Sequence, residues 1–277
     1  MANPSRFSAS DAALEGLNLV GRRWRVVLGW AVFNLLALIM VVVTAAVLST
    51  IATALAGGSN VANSPAEMAA GVFGLVCALQ AQAVIATGVF RLELRPDQPA
   101  FLHLRLGGDE FRLLLIWLIC ITGAWAVLWA GMVAGAVSGP GRWAIEALAA
   151  VLLVYLLLRF ALVSPSSFTH RRIDFPQAWR LSRGRVLALL GMTALSLSLI
   201  GLVMVAVLVA LVAVAFVIGG FSGLAGVFGG SEGLQAHPAV FLLAFAVEII
   251  LTPVLWMLAM APLAAAYRAF TEGEAAA

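Results

Sequence analysis

The sequence predicts an all-α polytopic membrane protein. Six transmembrane helices form three hairpins, each preceded by an amphipathic helix on the cytoplasmic surface of the membrane. Three observations predict this. Hydrophobic residues make up 63% of the 277 residues and charged residues 10%, with a mean hydropathy of +1.07, whereas a soluble domain is about half apolar. Six apolar runs reach the roughly 20 residues a helix needs to cross a bilayer. Between the runs, the basic residues gather on alternate segments, and all 16 of them are arginine.

The runs use most of the chain, so a single integral membrane domain is expected. It comprises a polar segment over 1–25 and hairpins over about 26–90, 111–163 and 186–267. No room remains for a soluble catalytic domain. The first 25 residues lack the charged start, short apolar run and cleavage site of a secretory signal, so the first membrane helix is expected to be retained. Cys77 and Cys120 lie inside apolar runs with no CxxC spacing and read as small packing residues.

From Ser8 the chain reads as a surface helix, with Ser8 and Asp11 in a capping-box-like start. Ala13, Leu17, Val20 and Trp24 recur on one face, and Asp11, Glu15, Asn18, Arg22 and Arg25 on the other. The uncharged run over 26–56 would make about 46 Å of helix, longer than a hydrocarbon core of about 30 Å, so it must tilt, kink or project. A loop without basic residues over 57–65 turns the chain back through 66–90, which carries Gln80 and Gln82. The segment over 91–112 holds Arg91, Arg95, Arg105 and Arg112 and reads as cytoplasmic; Phe101, Leu104 and Gly108 repeat the surface-helix pattern more weakly. Spans over 111–137 and 143–163 follow, joined by the tight turn SGPGR.

The segment SPSSFTHRRIDFPQAWRLSRGRV, from Ser164, is the densest basic stretch. Pro165 and its polar neighbours are expected to end the preceding helix, and Asp174 to cap a short new one. Phe175, Ala178 and Trp179 share a face of that helix away from Gln177 and Arg180, which places it in the interface. An apolar run over 186–218, a glycine-rich loop over 219–238 and a sixth span over 239–267 complete the chain. Every arginine except Arg142 falls on one side in this arrangement, so both termini are expected in the cytoplasm. Surface helix, arginine-bearing junction, outward helix and inward helix recur with a period of about 80 residues.

The run RFALVSPSSFTHRRIDFPQAWRLSRGR, from Arg159, resembles the membrane domain attached to some bacterial glycerophosphodiester phosphodiesterases, and related stand-alone six-pass inner-membrane proteins. Arg159, Pro165, Ala178, Ser182 and Gly184 carry the resemblance. It implies a six-helix module of the bacterial inner membrane without diesterase activity, because the phosphodiesterase barrel is absent from this chain.

Glu248 lies about 15 Å into the sixth span from Pro238, near the midplane, where a charged carboxylate costs at least about 2.5 kcal/mol. Two readings stand. It is a proton or cation site with Gln80 or Gln82 as neighbours, or a neutral carboxyl hydrogen-bonded to another helix; the second is favoured. Gln80, Gln82, Asn34 and Thr44 read as interhelical hydrogen-bonding residues, worth about 0.6 kcal/mol each. Arg159, one turn from the cytoplasmic end of its helix, is expected to snorkel to phosphate. Arg171, Arg172, Arg180, Arg183 and Arg185, with Arg22 and Arg23, are the candidate lipid-headgroup residues. His103, His170 and His237 are too scattered to predict a metal site, and no catalytic pair or nucleotide-binding fingerprint appears. No cofactor, metal or nucleic acid is expected. The sequence is therefore read as a non-enzymatic module contacting anionic phospholipid or serving a partner protein, with a transporter or channel built on Glu248 as the alternative.

Overall fold

A computed structural model describes residues 8–55, 65–97, 101–228 and 238–275, and its regular elements are all helical. They are α1 (Ala9–Arg22), α2 (Trp24–Leu55), α3 (Pro65–Leu94), α4 (Gly108–Val137), α5 (Arg142–Phe160), α6 (Val163–His170), α7 (Phe175–Leu181), α8 (Val186–Phe228) and α9 (Pro238–Ala275), with 3-10 turns at Phe101–His103 and Gly139–Gly141. Six stretches are long and apolar enough to cross a membrane: α2, α3, α4, α5 with α6, α8 and α9. Their flanks carry large exposed apolar side chains, among them Val32, Leu36, Met40, Leu202, Val209 and Leu242. Water would not tolerate so much exposed apolar surface, and lipid does. The chain is an all-α, multi-pass integral membrane protein.

Local structure departs from the sequence reading at four places. The surface helix expected before the second hairpin is replaced by the 3-10 turn at Phe101–His103, where Leu102 and His103 adopt φ of 51° and 59°. Two consecutive left-handed residues break any helical run. Pro165 does not end a helix: α5 stops at Phe160, and Pro165 sits in the first turn of α6, where its missing N–H removes no hydrogen bond. The glycine-rich loop is helical over its first part, because α8 continues to Phe228 across a break at Gly220, whose φ of 58° and ψ of −141° suit glycine. Finally, α1 is rotated from the expected face. Ala12, Ala13, Gly16 and Leu19 are buried while Leu17 and Trp24 are exposed, since small residues let helices approach closely. The expected turn over 57–64 and the loop residues 229–237 lie outside the described residues.

Two compact units form. Among the described residues, the first combines 8–15, 79–97, 101–194 and 260–275. Its core joins Ile116 of α4, Leu158 of α5, Leu162 at the α5–α6 bend, Ala178 and Leu181 of α7, Leu189 and Met192 of α8, and Tyr267 and Phe270 of α9. Most of its buried arginine and carboxylate side chains also belong here. The second combines 16–55, 65–78, 195–228 and 238–259. Within it, a Cβ placed on Gly16 would come within 2.8 Å of the Leu258 backbone, so only glycine fits that approach. Trp30 and Asn34 of α2 are buried there, and α8 is exposed along most of its length.

Candidate functional site

The site is built on the turn from α5 through α8, within the first unit. Arg171 ends α6 in a left-handed conformation with φ 54°, a conformation that costs a non-glycine residue roughly 1–2 kcal/mol and turns the chain sharply. Asp174 then caps α7 as expected, accepting from the Gln177 N–H at 3.1 Å. Its own N–H donates to Ser167 Oγ at 3.3 Å, and Arg172 holds the carboxylate at 2.8 Å. Burial alone would raise the Asp174 carboxyl. The Gln177 N–H, the Arg172 guanidinium and the positive field of Arg172 and His170 reverse the sign and hold it below the ordinary aspartate value.

Arg159 fixes α7 to α5. Rather than snorkelling outward, its side chain is buried. The guanidinium lies 4.1 Å from the Trp179 ring centre. Nη1 donates to Trp179 O at 3.2 Å and to Ser182 Oγ at 3.3 Å, and Nε donates to Tyr155 Oη at 3.1 Å. Ser182 Oγ donates to the carbonyls of Arg159 and Trp179. The guanidinium thus sits over an aromatic ring while its N–H groups serve three separate acceptors, a combination that lysine cannot reproduce.

The seven candidate headgroup arginines divide by exposure. Arg171, Arg172, Arg180 and Arg183 are exposed on the α6–α8 turn, and Arg22 and Arg23 are exposed at the end of α1. Among the described residues, the side chains of Arg171, Arg180 and Arg183 make no hydrogen bond or ion pair. Arg185 departs from the expectation: it is half-buried, 4.6 Å from the Phe270 ring centre, and donates to Phe270 O at 3.5 Å. Of the outward set, Arg171, Arg180 and Arg183 present cations without an ion-pair partner among the described residues, suited to phosphate oxygens.

Sequence reasoning missed the charges that face inward. Arg91, assigned to a loop, continues α3 and is buried against Glu110 in an ion pair, while its Nη1 donates to His103 O at 3.0 Å. Arg95 donates to the carbonyls of Phe168 and Thr169 at 3.1 and 2.7 Å, closing the C-terminal end of α6. Arg268 of α9 holds Glu93 of α3 at 2.6 Å. The usable signal was spacing: Arg91 and Arg95 are four apart and continue the helical period of α3.

The intramembrane polar residues are placed individually. Glu248 is exposed on the flank of α9, and its carbonyl accepts from Thr252 Oγ1 at 2.9 Å. Gln80 and Gln82 are half-buried in α3. The transport reading needs a hydrated cavity at Glu248, and no such cavity is described there. No protein-family model, curated protein or solved structure matches this chain.

Proposed function

We propose that this protein is a non-enzymatic module of the bacterial cytoplasmic membrane that holds anionic phospholipid at its arginine-rich face, organising that lipid or presenting the face to a partner protein. One observation carries the reading: Arg171, Arg180 and Arg183 stand exposed on one short turn at the ends of spanning helices, without a polar partner among the described residues. Each cation near an anionic leaflet contributes about 1 kcal/mol. The bias of arginine to one set of segments supports placing that face, and both termini, in the cytoplasm. The resemblance to six-pass inner-membrane modules agrees with this.

Native mass spectrometry of the protein released from its own membrane tests the reading. Retained phospholipid of an anionic headgroup class is expected, and it should be lost when Arg171, Arg172, Arg180 and Arg183 are replaced together by Gln. Equal retention in both proteins would overturn the lipid assignment. A retained second polypeptide without lipid would instead support the partner-protein arm. Glu248→Gln is expected to leave lipid retention unchanged.

A further inference from the structure

The α4–α5 hairpin is tight at one end and open at the other. Near the Gly139–Gly141 turn a Cβ on Gly131 would lie 2.5 Å from the Ala149 Cβ, and one on Gly135 would lie 3.3 Å from the Glu146 side chain. At Gly131 the helices approach too closely for any side chain. Farther along the same helix, a Cβ on Gly123 would meet nothing within 4 Å. Close packing does not explain that glycine. The helices splay instead around a groove of about 380 Å³, lined by Cys120, Gly123 and Val127 of α4, Leu153 and Leu157 of α5, and Phe175 of α7.

The position and size of the groove restrict what can fill it. It lies within two membrane-spanning stretches and its walls are apolar, so it faces acyl chains rather than water. From Cys120 to Val127 it extends along α4 for about 10 Å, long enough for a stretch of hydrocarbon chain to lie in it. At its foot, the Phe175 ring meets Phe160 edge-on at 5.5 Å, and Phe160 in turn meets Trp179 at 5.5 Å. Phe175 opens α7, directly after the Asp174 cap, and the same turn carries exposed Arg171, Arg172 and Arg180. An apolar slot therefore ends at a cationic rim. A molecule complementary to both has a hydrocarbon chain joined to an anionic head.

We propose that this groove is an acyl-chain subsite, holding one chain of an anionic phospholipid whose phosphate is bound by the arginines of the α6–α8 turn. The inference rests on the headgroup reading above and adds the second contact, which converts a diffuse electrostatic attraction into a defined binding pose. Arg159 acts as a positioning residue in it, because its grip on Trp179 and Ser182 holds α7, and with it Phe175, against α5.

The test uses the full chain in nanodiscs doped with phosphatidylglycerol, or separately phosphatidylcholine, bearing a photoreactive diazirine in one acyl chain. Adducts are located by peptide mass spectrometry. Adducts concentrated at residues 120–127 and 153–157, several-fold stronger with the phosphatidylglycerol probe, are expected. Gly123→Leu should remove them, since the added side chain enters open space, and Leu153→Trp should do so from the opposite wall. Both variants should remain monodisperse. Replacing Arg171, Arg172, Arg180 and Arg183 by Gln should abolish the preference for phosphatidylglycerol. Adducts spread over all six spanning stretches in proportion to exposure, or unchanged in both filling variants, would overturn the groove assignment; the headgroup reading would stand if lipid retention still depended on the arginines. Equal labelling by the two probes would overturn the coupling of groove to cationic rim.

Discussion

Arg91 and Glu110 are almost wholly buried and face each other across the start of the second hairpin. Two desolvated charges stabilise a fold little in net terms, yet leaving either one alone is costly. Glu110→Gln is expected to destabilise the protein by about 3–5 kcal/mol, read as a lowered unfolding temperature in detergent. Combining Arg91→Met with Glu110→Leu should recover most of the loss; a double variant as unstable as the single would sink this account. At this scale the sequence was half legible. It showed the arginines, but not which faced inward, because Arg91 and Arg171 are chemically identical and differ only in what folds around them. Arg159 was placed correctly near its helix end and mistaken in direction: Trp179 and Ser182, twenty and more residues away, supply the acceptors and ring that draw it in.

Among the elements, α7 was the most legible, because its signals are local. Asp174 precedes it, Pro176 lies in its first turn, and its apolar positions recur at helical spacing. Its cap makes a pH-dependent prediction. The folded carboxyl lies below its unfolded value, near 3.8, so its contribution is complete above that value and is lost as pH falls through the folded one. Asp174→Ala should cost about 1 kcal/mol at neutral pH. Asp174→Asn, which keeps a capping oxygen but no charge, should cost less, and its difference from wild type should shrink on acidification. Hydrogen exchange at the Gln177 amide measures both. By contrast, the missing surface helix before α4 and the break of α8 at Gly220 were illegible, since one or two residues with positive φ decide them and a periodic pattern does not reveal these.

For the whole molecule, six spanning stretches were readable from hydropathy, because each satisfies its backbone internally and its length is set by the bilayer. The grouping into two units was not, as each collects stretches far apart in sequence. The expected orientation gives a direct prediction: in intact cells, a cysteine introduced at Arg142 in a Cys77→Ser, Cys120→Ser background should react with a membrane-impermeant maleimide, while one at Arg183 should react only after permeabilisation. The reverse pattern would invert the topology.

The clasp between Arg268 and Glu93 joins residues 175 positions apart. Its consequence concerns biogenesis. The first unit cannot close while the ribosome is still making the chain: Glu93 and the Arg185 guanidinium wait for Arg268 and Phe270, which emerge with the final helix. Unfinished chains therefore lack this clasp, a difference by which a membrane quality-control protease could sort them from completed ones.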